Sequence, residues 1–151
     1  MKITYLKGDT TYPQGEGNKM IIHVCNDLGR WGRGFVLALS KRWREPEEVY
    51  RSYNKENLML GNVQFICVED DIIVANMIGQ HDIKPNELGE PPVRYWAIKM
   101  ALSKVNQMAK LSNSTIHCPK FGSGLSAGKW EEIEKIIKET IEVDVFVYEL
   151  T

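Results

Sequence analysis

Apolar runs of strand length alternate along this chain with segments of helical spacing, and glycine-rich punctuation falls between them. Lys2 to Leu6 alternates apolar and polar residues and predicts a short strand. Met20-Ile21-Ile22-His23-Val24-Cys25 is almost continuously apolar, the pattern of a central strand buried on both faces. Phe35, Leu39 and Trp43 fall on one helical face, so a helix runs from Phe35 to Trp43 and ends before Pro46. Glu47 to Asn54 reads as a second short helix. Val63 to Val68 and Ile72 to Ile78 read as a hairpin turning at Glu69-Asp70-Asp71. A polar loop, Gly79 to Pro91, leads to a long helix opened by Pro92, with the stripe Val93, Trp96, Met100, Ala101, Val105 and Met108. Thr115 to Cys118 is a strand, Trp130, Ile133, Ile136, Ile137 and Ile141 mark a helix, and Val143 to Leu150 is a last strand.

The predicted order is β–β–α–α–β–β–α–β–α–β. Strands interleaved with helices imply a mixed, mostly buried sheet covered on both faces, with ligands expected where loops leave the strand ends. Neither a repeat nor a long linker divides the 151 residues, which suit one domain spanning 1–151. Apolar and charged fractions of 43% and 26% are those of a globular chain. A formal net charge of −1 argues against nucleic-acid or membrane binding through a global positive field. No apolar stretch approaches a bilayer span, and the first dozen residues read as a strand, not a signal peptide. Cys25, Cys67 and Cys118 are widely spaced, odd in number and set in or beside apolar runs, so reduced core thiols and a cytoplasmic location are expected. No metal and no cofactor is implied, since His23 and Cys25 alone do not make a zinc site.

Two glycine-rich turns carry the candidate chemistry. Gly29-Arg30-Trp31-Gly32-Arg33-Gly34 joins a strand to the helix at Phe35, and Phe121 to Gly128 joins a later strand to the helix near Trp130. Glycine permits close backbone approach, and loop amides beside a helix N-terminus form an anion site. Neither turn is a Walker loop, because the Gly-Lys-Ser/Thr ending is missing, and neither has the acidic partner of a dinucleotide fingerprint. Two such turns at one sheet edge suit a diphosphate gripped from both sides. Trp31 is placed at the ligand rim, and Trp96 and Trp130 in the core.

Lys7-Gly8-Asp9-Thr10, His23-Val24-Cys25-Asn26, the first glycine turn, Pro119-Lys120-Phe121-Gly122-Ser123-Gly124-Leu125 and the terminal Val147-Tyr148-Glu149-Leu150 occur in an order that resembles the macro domain family. The branch containing ADP-ribose-1″-phosphate phosphatase and terminal ADP-ribose protein glycohydrolase is the most similar. The resemblance implies a three-layer α/β/α fold with about six strands, and ADP-ribose or ADP-ribose-1″-phosphate as ligand. An ADP-ribosylated protein or nucleic acid is the further class of partner. It also implies Asp9 and Thr10 at the adenine, Asn26 near the distal ribose, and Gly32, Arg33, Gly34 and Phe35 along one side of the diphosphate. Phe121, Gly122, Ser123, Gly124, Leu125 and Ser126 would lie along the other side, and Leu150 near the adenine.

The glycohydrolase branch uses a lysine and an aspartate, and Gln80 and Ser126 occupy those positions here. Gln80 forms no Schiff base and Ser126 is no carboxylate. Phosphate removal from ADP-ribose-1″-phosphate is therefore the expected reaction, with His23, Asn26 and His81 as catalytic candidates and Asp82 beside them. A non-catalytic ADP-ribose reader and a glycohydrolase lacking the lysine/aspartate pair are the alternatives. A Cys25–His23 nucleophile pair is discounted for want of an orienting third group.

Overall fold

The computed structural model describes residues 1–54, 57–124 and 127–150. The elements are β1 (Ile3–Lys7), β2 (Asn18–Asn26), α1 (Phe35–Arg42), α2 (Glu45–Ser52), β3 (Val63–Glu69), β4 (Ile72–Gln80), α3 (Tyr95–Leu111), β5 (Ser114–Cys118), α4 (Trp130–Thr140) and β6 (Val145–Glu149). They form a six-stranded sheet in the order β1-β6-β5-β2-β4-β3. All neighbours are parallel except β3 and β4, the hairpin expected around Asp70.

The alternation of β2 sorts its side chains between two helical layers. Met20 and Ile22 join Ala75, Met77, Ile116, Val145 and Val147 beneath α3 and α4. Ile21 and Cys25 join Val74, Ile78, Leu39 and Tyr50 beneath α1 and α2. The sheet is thus covered on both faces, as the continuous apolar runs of β2 and β4 require. Five parallel strands also bring the residues that follow β1, β6, β5, β2 and β4 to a single edge.

Two expectations need correction. The buried stripe of α3 is Ala97, Ile98, Ala101, Leu102, Val105 and Ala109, whereas Trp96 and Met100 are 54% and 47% exposed. Alanines at the contact let the helix axis approach the sheet, and the stripe rotates by one position to place them there. Cys67 is exposed, since it lies on the edge strand β3 and only β4 flanks it; Cys25 and Cys118 are buried as expected. Trp31 is 4% exposed and packs edge-on to His23 and tilted on Tyr50, and it also lines the cavity described below, so it joins the core to the rim. Trp130 is half-buried, packed edge-on against Phe121.

Candidate functional site

The edge where the five parallel strands end opens into a cavity of about 780 Å³ between the two glycine turns. Gly32, Arg33, Gly34 and Phe35 line it from the first turn, and Phe121, Gly122 and Gly124 from the second. Leu125 and Ser126 lie outside the described residues. Ser123 turns its hydroxyl back to donate to the Lys120 carbonyl at 2.6 Å.

The first turn is folded around Asn26. Its side-chain carbonyl accepts from the backbone N–H of Leu28 (2.9 Å) and of Arg30 (3.2 Å), and its amide donates to the Arg30 carbonyl at 2.7 Å. Tyr50 of α2 donates to the Asn26 backbone carbonyl at 2.6 Å. A short amide that mimics a backbone turn suits this junction. Asn26 is thereby engaged in shaping the turn. Trp31 ties the same turn to the helices: its indole N–H donates to Ser40 at 2.8 Å, and Ser40 donates to Glu47 at 2.7 Å. Gly34 then enters α1 with φ of 80°, a left-handed conformation in which a side chain is strained.

In the second turn the Gly128 N–H donates to the Gly122 carbonyl at 2.8 Å, and Gly122 has φ of 75°. A Cβ on Gly122 would stand 2.8 Å from Ile133 Cδ1 of α4, so the turn is pressed against the helix that follows it. Gly124 differs, with nothing among the described residues within 4 Å of a Cβ placed there.

Arg30, Arg33 and Lys120 line the cavity, and among the described lining residues there is no carboxylate. Glycine turns, the N-terminus of α1 and three cations give this cavity the features of an anion site. Lys120 is also paired with Glu149 at 2.6 Å, on the β6 side of the cavity. Gln80 and Ile83 contribute the wall beside β4.

His23 reaches the cavity from β2, yet it is 1% exposed. Burial holds its imidazole well below the ordinary histidine range, at about 4, and a 2.6 Å hydrogen bond to Asn76 only partly offsets this. His23 is thus neutral at physiological pH. Cys25 Sγ lies 3.9 Å from both ring nitrogens, and burial pushes its thiol up, so it is no thiolate nucleophile.

His81 follows β4 at the rim, outside the cavity lining, with its side chain about half exposed. Its partner is Asp27, a residue that no motif in the sequence marks. The Asp27 carboxylate meets His81 Nδ1 at 2.7 Å and accepts from the Asp82 N–H at 2.9 Å. Asp27 follows β2 directly as His81 follows β4, and the pairing of those two strands, which the sequence does not show, brings the residues together.

Asp9 and Leu150 emerge from β1 and β6 on the same edge. Asp9 accepts from the Thr11 N–H at 2.9 Å and the Thr11 hydroxyl at 2.8 Å, Thr10 is buried beside it, and Leu150 is 82% exposed. None of the three lines the cavity. Four strand steps of about 4.8 Å separate β1 from β4, so the edge from Asp9 to Gln80 spans roughly 19 Å.

Fold and site together define a three-layer α/β domain with an anion-binding cleft at the carboxyl edge of its parallel strands. No family model matches the sequence. A solved macrodomain protein from Streptomyces coelicolor is 44% identical, with a TM-score of 0.86 over 98% of this chain and 99% of that one. The chain belongs to the macro domain family. The Chromodomain-helicase-DNA-binding protein 1-like of Mus musculus is 31% identical over 97% of this chain, which spans only 17% of that protein's length. The ADP-ribose 1″-phosphate phosphatase of Candida albicans is 27% identical over 97% of this chain and 98% of its own. Among the described residues no helix is long and apolar enough to cross a membrane.

Proposed function

We propose that residues 1–151 act as one macro domain that binds ADP-ribose or a close derivative and hydrolyses the terminal phosphate of ADP-ribose-1″-phosphate. The observation that carries the binding reading is the pairing of two glycine turns across one cavity whose described charged lining is wholly basic. In this reading Gly32 to Phe35 and Phe121 to Ser126 hold the diphosphate. Asp9 and Thr10 face the adenine at the β1 end of the edge, with Leu150 near it. The roughly 19 Å edge suits an extended nucleotide diphosphate sugar.

For the hydrolysis, His23 accepts a proton from an attacking water as its oxygen bonds to phosphorus. The bond from phosphorus to the 1″-oxygen breaks, inorganic phosphate leaves, and the histidinium returns the proton to the ribosyl oxygen. Arg30, Arg33 and Lys120 supply the countercharge for the phosphoryl oxygens. Asn26 keeps the first turn in shape, and His81, oriented by Asp27, is the proton carrier at the rim. The similarity to a phosphatase of nearly equal length supports this reaction.

A reader of ADP-ribosylated protein or nucleic acid, without turnover, is the second reading. The hydrogen bonds that commit the Asn26 amide to the turn favour it. Phosphate release from ADP-ribose-1″-phosphate separates the two. Release that is lost in His23→Ala supports the hydrolase, and binding with no release leaves the reader.

A further inference from the structure

A straight row of polar side chains crosses the α1/α2 face of the sheet. His23 on β2 is the register partner of Asn76 on β4, which is in turn the register partner of Gln64 on β3. All three are buried. The Asn76 amide nitrogen donates to the Pro46 carbonyl of α2 at 3.0 Å and to Gln64 Oε1 at 3.0 Å. A proline carbonyl only accepts, so the nitrogen of Asn76 must face it; the flipped amide would set its oxygen against that carbonyl at 3.0 Å, whichever end Gln64 presents. Asn76 Oδ1 is therefore the atom 2.6 Å from His23 Nε2. A carbonyl oxygen accepts only, so Nε2 carries the proton, and in a neutral ring Nδ1 keeps a lone pair.

Among the described residues, only the Cys25 thiol also comes near that nitrogen. Cys25 Sγ is equidistant from both ring nitrogens at 3.9 Å, so it singles out neither. The Cys25 thiol, on β2 itself, is the one titratable group among these described neighbours. Asn76 on β4, the Pro46 carbonyl on α2, Trp31 of the turn and Phe35 on α1 carry no charge.

We propose that Asn76 is a positioning residue that locks His23 in its Nε2–H tautomer, leaving Nδ1 as an acceptor-only nitrogen for the cavity. Such a nitrogen takes a hydrogen bond from a hydroxyl or a water and repels an anionic oxygen. The cavity then divides its labour: cations and loop amides hold phosphate, while His23 meets the donor, a ribose hydroxyl or the attacking water. The identity of that donor rests on the ADP-ribose reading; the tautomer does not.

Nitrogen-15 spectra of the full chain labelled at histidine test this directly. The expected spectrum has a protonated, pyrrole-type Nε2 and a bare, pyridine-type Nδ1, unchanged between about pH 5.5 and 8. Adding ADP-ribose should move only the Nδ1 signal toward its hydrogen-bonded value. A protonated Nδ1, a midpoint near the ordinary histidine value, or an unmoved Nδ1 when calorimetry shows saturation would each overturn the proposal. Asn76→Asp should convert His23 to the imidazolium at neutral pH and weaken ADP-ribose about tenfold, as the acceptor becomes a donor. Should that variant fail to fold, the wild-type spectrum decides alone. An absence of binding heat beside the expected spectrum would overturn the functional reading and leave the tautomer lock supported.

Discussion

The carboxylate of Asp27 meets the imidazole of His81 at 2.7 Å, joining the segment after β2 to the segment after β4 at the mouth of the cavity. The Asp27 N–H also donates to the Gln80 carbonyl at 3.0 Å, and the Asp82 N–H returns to the other Asp27 oxygen. One hydrogen bond thus orients the half-exposed imidazole, and two more fix the aspartate that makes it. That arrangement suits a proton carrier better than a free surface side chain.

If His81 carries a proton in phosphate release, His81→Ala lowers kcat about 100-fold and leaves the Kd for ADP-ribose within about threefold. Asp27→Asn should produce a smaller loss with the same division, because the histidine remains but loses its charged partner. Phosphate release and calorimetry on the same samples check this. Equal losses of affinity and turnover would reduce the pair to a clamp on the loop.

The two glycines of the second turn should fail in different ways. Gly124→Glu places a carboxylate beside the proposed diphosphate where no described residue crowds it, so ligand binding should vanish with the melting temperature unchanged. Gly122→Ala strains a positive φ and drives a Cβ against Ile133, and should cost about 1–3 kcal/mol of stability. Thermal unfolding and calorimetry on both variants tell the effects apart. Retained submicromolar binding in Gly124→Glu would sink the loop assignment.

Asp9→Ala should weaken ADP-ribose more than ribose 5-phosphate if the β1 end of the edge reads the adenine. Competition titrations measure both. Equal losses would return Asp9 to its visible role of holding Thr11.

Stability should fall as the pH drops from about 6.5 toward 4. Burial lowers both His23 and His117 to about 4, the latter also opposed by the charge of Lys19. Between those values the unfolded chain binds protons at these two sites and the native state does not, so acid favours unfolding. Two such groups give a slope of at most about 2.7 kcal/mol per pH unit between those values; the stability is whole above the unfolded value, and its loss is complete below the native one. Urea unfolding at several pH values, repeated in His23→Gln, should show the slope and its reduction by about half. A flat profile would contradict neutral burial of the pair.

Most of the architecture could be read from periodicity, because β2 and β4 are buried on both faces and the helices around them are amphipathic. Element order matched throughout. What periodicity could not choose was the face of α3: Trp96 and Met100 fit a helical stripe as well as Ala97 and Ala101 do, and only close packing on the sheet selects the alanines. The glycine turns were visible because their residue types are rare outside such places. Asp27 and Asn76 were not, because each acts through a partner more than fifty residues away. Strand register, which sequence alone does not reveal, brings them to His81 and His23.

The measurement that bears most directly on the central claim is calorimetric titration of the wild-type chain with ADP-ribose, run beside Gly124→Glu. One saturable site in the wild type and none in the variant is the expected result. An absence of heat from the wild type, in a chain shown to be folded, would contradict the assignment of this cavity to ADP-ribose.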